Sequence, residues 1–135
     1  IPEDRYNLLD RGYRALKPDG IFLLDVFTPQ WNLGCKENTS WEVCARGGFW
    51  SPNPHICLNA QYYYGKSIGM RRTVIVEDEN IRSFNIWETC FTKQSLSEEI
   101  QLHNFIPVDY YSDVEGKLYE ENSPILCAVM KKQEG

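Results

Sequence analysis

The residues with the chemistry and placement to line a small-molecule site are Asp25, Phe27, Thr28, Trp31, Trp50, His55, Tyr62, Tyr64 and Trp87. The first four fall at or just past the end of a short apolar run, Ile21 to Phe27. If that run is a strand of an open α/β sheet, its carboxyl end is where ligands gather. Asp25 would then be a polar anchor, and Phe27, Thr28 and Trp31 would contact the ligand. The plainer roles are packing for the aromatics and a backbone hydrogen bond for Asp25. Trp50, Tyr62, Tyr64 and Trp87, with Phe49, could build an aromatic wall, whose ring faces attract a cationic amine or sulfonium. Equally, they could be the core of a meander. Successive strand residues point to opposite faces, so Tyr63 must oppose Tyr62 and Tyr64. His55 lies in the Pro-flanked turn Pro52-Asn53-Pro54-His55 and could act as a general base if that loop folds over a site. His103, near a helix end, suits a structural role beside the dipole, and Arg71-Arg72 reads as a solvated strand end or a carboxylate clamp. No catalytic residue can be named from these side chains.

Composition narrows the field. The 135 residues make one domain's length, and 42% hydrophobic with 13% aromatic content is enough for a core. A net charge of −5 with scattered Lys and Arg argues against nucleic acid, which needs clustered cations. The five cysteines include no C-x-x-C pair and no histidine at metal-ligand spacing, so they read as free thiols without a metal. That usage suits a reducing compartment, and with no long apolar run the expectation is a cytoplasmic protein that does not enter a membrane.

The elements that would position these residues can be read in turn. Tyr6, Leu9, Tyr13 and Leu16 recur at helical spacing, with Pro2, Glu3 and Asp4 at the favoured end for proline and acids. Pro18 must stop that helix near Leu16 or Lys17, and Gly20 is the expected left-handed position of the turn. Residues 20–27 read as a buried parallel strand. From Trp41 to Phe91, short aromatic and β-branched runs broken by Gly, Pro, Asn and Asp predict an antiparallel meander of four or five strands, one of them Gly48-Phe49-Trp50. A second helix starts at Thr92 as N-cap, with Ser95 nearby, and stops at Asn104 in a left-handed conformation. Strands follow over 106–111 and over the apolar run Ile125 to Met130.

Three of these segments, in order, resemble class I S-adenosylmethionine-dependent methyltransferases. They are Arg5-Tyr6-Asn7-Leu8-Leu9 with Tyr13 to Gly20 and Ile21 to Thr28, then Phe91-Thr92 through His103-Asn104-Phe105, then Tyr110-Tyr111-Ser112-Asp113 with the final run into Lys131-Lys132. They resemble the approach to the fifth strand, the helix before the sixth, and the sixth and seventh strands. Asp19 and Asn104 stand where glycine is usual, and both tolerate the left-handed region. The resemblance implies an α/β fold: a small mixed sheet from the family's last three strands, two or more helices, and an antiparallel β insertion over residues 30–91 acting as lid or substrate wall. The segments 1–29 and 92–135 would complete a single domain.

The family's glycine-rich cofactor turn has no counterpart here, since no G-x-G occurs. The resemblance therefore implies the C-terminal half of an enzyme that uses S-adenosylmethionine, with this chain alone not expected to bind it. The expected partners are a small-molecule methyl acceptor, an N-terminal half of the same protein, and a second copy paired through the exposed strand 21–26. The rival is a freestanding α+β module that binds an apolar ligand without catalysis; a non-catalytic dimerisation domain is a third reading.

Overall fold

Helix α1 spans Pro2–Ala15 in the computed structural model, which describes residues 2–133. Glu3 and Asp4 occupy its first turn and Arg14 its last, each complementing the nearer end of the helix dipole. Leu9 is buried, and Tyr13 and Leu16 pack beside it, as the apolar stripe requires. The helix stops before Pro18, and the turn closes with Gly20 N–H donating to the Lys17 carbonyl at 3.0 Å. The left-handed residue is Asp19, at φ 60°, rather than Gly20. Gly20 is needed for a different reason: a Cβ there would stand 2.8 Å from the Lys17 carbonyl oxygen.

The chain divides into two compact units, one built from residues up to Trp31 and from Cys90 onward, the other Asn32–Thr89. The second is the stretch read from the sequence as an insertion over residues 30–91.

In the first unit, β1 (Ile21–Phe27), β6 (Phe105–Tyr111) and β7 (Ile125–Lys132) form a sheet in the order β1-β7-β6. Both pairings are antiparallel, so the expected mixed sheet is corrected at the level of hydrogen bonding: β1 and β6 run parallel to one another only because each opposes β7. One face carries Phe22, Leu24 and Val26 of β1 with Leu126, Ala128 and Met130 of β7, and packs with Leu9, Phe91, Leu96, Ile100 and Phe105. Each fully buried side chain of this size contributes roughly 1.5–3 kcal/mol. The strand expected to be buried on both sides is covered on one, since Ile21 and Leu23 on the opposite face are 61% and 46% exposed. By contrast β7, central in the sheet, buries Leu126, Cys127, Ala128 and Met130, as its continuous apolar run predicts.

Helix α3 (Lys93–Leu102) starts where expected. The Thr92 hydroxyl accepts from Ser95 N–H and the Ser95 hydroxyl accepts from Thr92 N–H, a reciprocal cap of the kind that contributes about 1 kcal/mol. Asn104 follows it in the left-handed region at φ 62°. Arg5 of α1 reaches α3 through a two-pronged bond to Glu99, at 2.8 and 3.0 Å.

The second unit is a four-stranded antiparallel sheet in sequence order, β2 (Asn38–Cys44), β3 (His55–Tyr64), β4 (Ile68–Glu77) and β5 (Asn80–Thr89). Gly65 and Asp78, both at positive φ, turn the two tight hairpins. Gly48-Phe49-Trp50, expected as a strand, lies instead in the connection between β2 and β3. Strand pairing assigns the faces: Thr39, Trp41 and Val43 share one with Ile56, Leu58, Tyr62, Tyr64 and Trp87, while Glu42, Cys44, His55, Cys57, Tyr63, Thr73, Ile75 and Phe84 share the other.

Candidate functional site

In the first unit the carboxyl ends of β1 and β6 lie at the same edge of the sheet, because both strands oppose β7. The backbone at that edge is fixed by Thr28 N–H donating to the Pro124 carbonyl at 3.0 Å and Phe91 N–H to the Phe27 carbonyl at 2.8 Å. Thr28 is buried; its hydroxyl donates to the Ser123 carbonyl and accepts from Gln30 N–H. It starts the short helix α2 (Pro29–Leu33), and Trp31 N–H closes onto the Thr28 carbonyl at 2.9 Å. Trp31 folds back so that its ring stacks on Phe27, centroids 4.5 Å apart and planes 16° from parallel.

A cleft of about 960 Å³ opens here, lined by Thr28, Pro29 and Gln30, by Thr92, Lys93, Gln94, Ser97 and Glu98 from the start of α3, and by Tyr110, Tyr119 and Glu121. Lys93 is an unusual first residue for a helix, since a cation there opposes the dipole. Two ring faces offset that cost: its ammonium lies 4.7 Å from the Tyr110 centroid and 5.1 Å from that of Tyr119. The Tyr110 hydroxyl oxygen is buried and has no hydrogen-bond partner. Burial also pushes the Tyr119 phenol above its ordinary range, with Glu121 adding to the shift. The cleft thus offers aromatic faces, one cation, the carboxylates of Glu98 and Glu121, and a phenol in need of a partner. It can hold a small polar molecule by stacking and hydrogen bonding.

The expected site residues fall in different places. Thr28 lines the cleft with its hydroxyl already engaged. Phe27 and Trp31 form a stacked pair beside it, while Asp25 lies on the exposed face of β1, opposite Cys127. In the second unit, Tyr62, Tyr64 and Trp87 share one face; the Tyr64 and Trp87 rings are 5.7 Å apart and half exposed. Trp50 departs from them and stacks on Phe84 of the opposite face at 5.1 Å, so the single aromatic wall is corrected to two separate groups. His55 is no loop base: it opens β3 and is 4% exposed. His103 caps α3 and pairs with Asp10 at 2.7 Å. Lys93, Tyr110 and Tyr119 were not singled out by sequence reasoning; the lone signal for them was a cation placed at the wrong end of a helix.

No protein-family model matches this sequence, and no curated protein does. Solved structures do. The CcbJ methyltransferase from Streptomyces caelestis matches 98% of the chain at TM-score 0.63 and 13% identity. An S-adenosylmethionine-dependent methyltransferase from Clostridium acetobutylicum matches 99% at TM-score 0.66 and 12% identity. The fold is that of part of an S-adenosylmethionine-dependent methyltransferase. The chain spans about half the length of these structures, 51% and 53%.

The Clostridium acetobutylicum enzyme depends on S-adenosylmethionine, so the residues present can be tested against that cofactor. Such a cofactor needs backbone N–H groups brought close at a glycine turn between a strand and a helix. Among the described residues the positive-φ glycines are Gly47, Gly65 and Gly116, and none lies between a strand and a helix. Gly12 and Gly20 are packed against Phe22 and against Leu16 and Lys17. Among the described residues no glycine turn of that kind is present to hold the cofactor.

Proposed function

We propose that this chain is the C-terminal, substrate-side part of an S-adenosylmethionine-dependent methyltransferase that acts on a small molecule. The observation that carries the reading is the likeness to two methyltransferase structures over almost the whole chain but only half of theirs. The cleft volume, in the range of small-ligand sites, supports a small acceptor, and the scattered positive charge disfavours a nucleic acid. In this reading an N-terminal half of the same protein supplies the cofactor site. Aromatic faces and the Tyr110 hydroxyl orient the acceptor, which is most of what methyl transfer asks of a protein, because the reaction needs a near in-line approach. The acidic, thiol-bearing composition accords with a cytoplasmic setting. No helix among the described residues is long and apolar enough to cross a membrane.

A second copy is the further proposed partner. Among the described residues β1 has a strand neighbour on one side only, and an apolar edge of this kind is a template for pairing.

The test begins at the gene. Reading upstream of the Ile1 codon and expressing the whole frame should yield a protein whose melting temperature rises with S-adenosylhomocysteine. At a hundred times Kd the gain is about 2.7 kcal/mol. The chain alone should show no rise. A whole frame with no glycine-rich turn and no response would leave a freestanding binding module in place of the enzyme.

A further inference from the structure

In the second unit, three donor side chains converge on one face of the sheet. Cys44, the last residue of β2, stands directly opposite His55, the first of β3, and Cys57 is the next residue of β3 on that face. Their ligating atoms all lie within 4.8 Å of one another. Cys57 is fully buried, His55 is 4% exposed, and Cys44 is partly exposed.

The imidazole is set up as a ligand. His55 Nδ1 lies 2.7 Å from the Asn53 carbonyl oxygen. A carbonyl only accepts, so Nδ1 carries the proton and Nε2 is left with a bare lone pair. That Nε2 is buried and has no hydrogen-bond partner. Leaving a buried nitrogen unsatisfied is unfavourable, and a backbone carbonyl holding the other ring nitrogen is the usual support of a metal-binding histidine. The connection over residues 45–54 folds across the cluster, held by Gly47 N–H to the Cys44 carbonyl and Gly48 N–H to the Ser51 carbonyl. A Cβ at Gly48 would come 3.6 Å from Cys44 Sγ and 3.7 Å from His55 Cε1, so the glycine backbone closes the site without filling it.

From this geometry we infer that Cys44, His55 and Cys57 form a binding site for a zinc ion. Two sulfurs and an imidazole are a zinc donor set and a poor one for magnesium or calcium, which take oxygen. Tetrahedral zinc, with bonds of about 2.3 Å to sulfur and 2.0 Å to nitrogen, needs donors roughly 3.5–3.8 Å apart, so donors within 4.8 Å of one another must close by about 1.3 Å at most. Binding is balanced simply: each thiol releases one proton to solvent, His55 gives only its lone pair, and two thiolates neutralise the dication. Glu42, opposite Cys57 on the same face, is a carboxylate available for the fourth position. The ion would pin β2, an edge strand, and the 45–54 connection to β3.

The test uses cobalt as the spectroscopic stand-in for zinc, added to the full chain under reducing conditions. The expected result is one equivalent bound, with tetrahedral ligand-field bands and a thiolate-to-metal charge-transfer band that zinc abolishes. Cys44→Ser and His55→Gln should each weaken zinc at least about a hundredfold in a chelator competition, more than loss of a supporting contact costs. Cys35→Ser should leave it unchanged. Circular dichroism of each variant separates lost binding from lost folding, and the spectrum of the unaltered chain needs no variant at all. Absence of stoichiometric binding, an octahedral spectrum, or affinity indifferent to Cys44→Ser and His55→Gln would overturn the site.

Discussion

Tyr63 shows how one side chain's surroundings set a measurable property. It alternates with Tyr62 and Tyr64, so it faces the other way, beside Arg71 and Glu88 on the paired strands. Burial, with the facing Cys35 side chain, pushes its phenol up to about 12. The folded protein therefore holds this proton more tightly than the unfolded chain, whose tyrosine titrates near 10. The stability it provides is complete below about pH 10 and is lost as pH rises toward 12. Tyr63→Phe should flatten the alkaline fall in the urea midpoint across that window while leaving the neutral value little changed. An equally steep fall in the variant would assign the effect to other groups.

At the scale of elements, the turn that joins α1 to β1 divides two demands, a left-handed φ and a close backbone approach, between two residues. Asp19 bears the positive φ, and Gly20 the close approach to the Lys17 carbonyl. Asp19→Gly should thus hold or raise the melting temperature, whereas Asp19→Val should cost about 1–2 kcal/mol, the left-handed penalty for a branched residue. Gly20→Ala should also destabilise, although its φ is ordinary. A neutral Gly20→Ala in urea unfolding would mean that the turn relaxes freely.

The helices and strand runs were legible because each local cue agreed with the packing: Pro18 and Asn104 end helices, Thr92 starts one, and the unbroken run Ile125 to Met130 marks the central strand. What escaped the sequence is pairwise. Nothing local says that Cys44 will stand opposite His55, since that depends on the register of β2 against β3. Trp50 is parted from Trp87 by the connection it lies in, which sets its ring on Phe84 of the other face. Lys93 escaped because its two tyrosines come from residues 110 and 119, brought to it only by the sheet. Exposure of Ile21 and Leu23 was hidden too, because apolarity alone does not reveal which neighbours cover a strand.

At the scale of the whole molecule, the proposed dimer rests on the edge of β1 that has no strand neighbour among the described residues. In the proposed dimer, Leu23 lies on the pairing strand with its side chain exposed. Leu23→Lys places a charge there, a common means of blocking strand addition. It should shift the light-scattering mass at high concentration from two chains to one, with little loss of thermal stability because the side chain is about half exposed. A monomeric mass for the unaltered chain at the same concentration would remove the dimer from consideration.

The order β1-β7-β6 also bears on how a ribosome delivers this chain. β1 is made before the Asn32–Thr89 sheet, but its ladder partner among the described residues, β7, follows about a hundred residues later. Throughout that interval the nascent Ile21–Phe27 segment lacks this partner. The Asn32–Thr89 sheet meanwhile pairs each strand with the next as it emerges. Of the two units, the one that begins first is therefore the one that closes last, and its three-stranded sheet forms only after the Asn32–Thr89 sheet is complete.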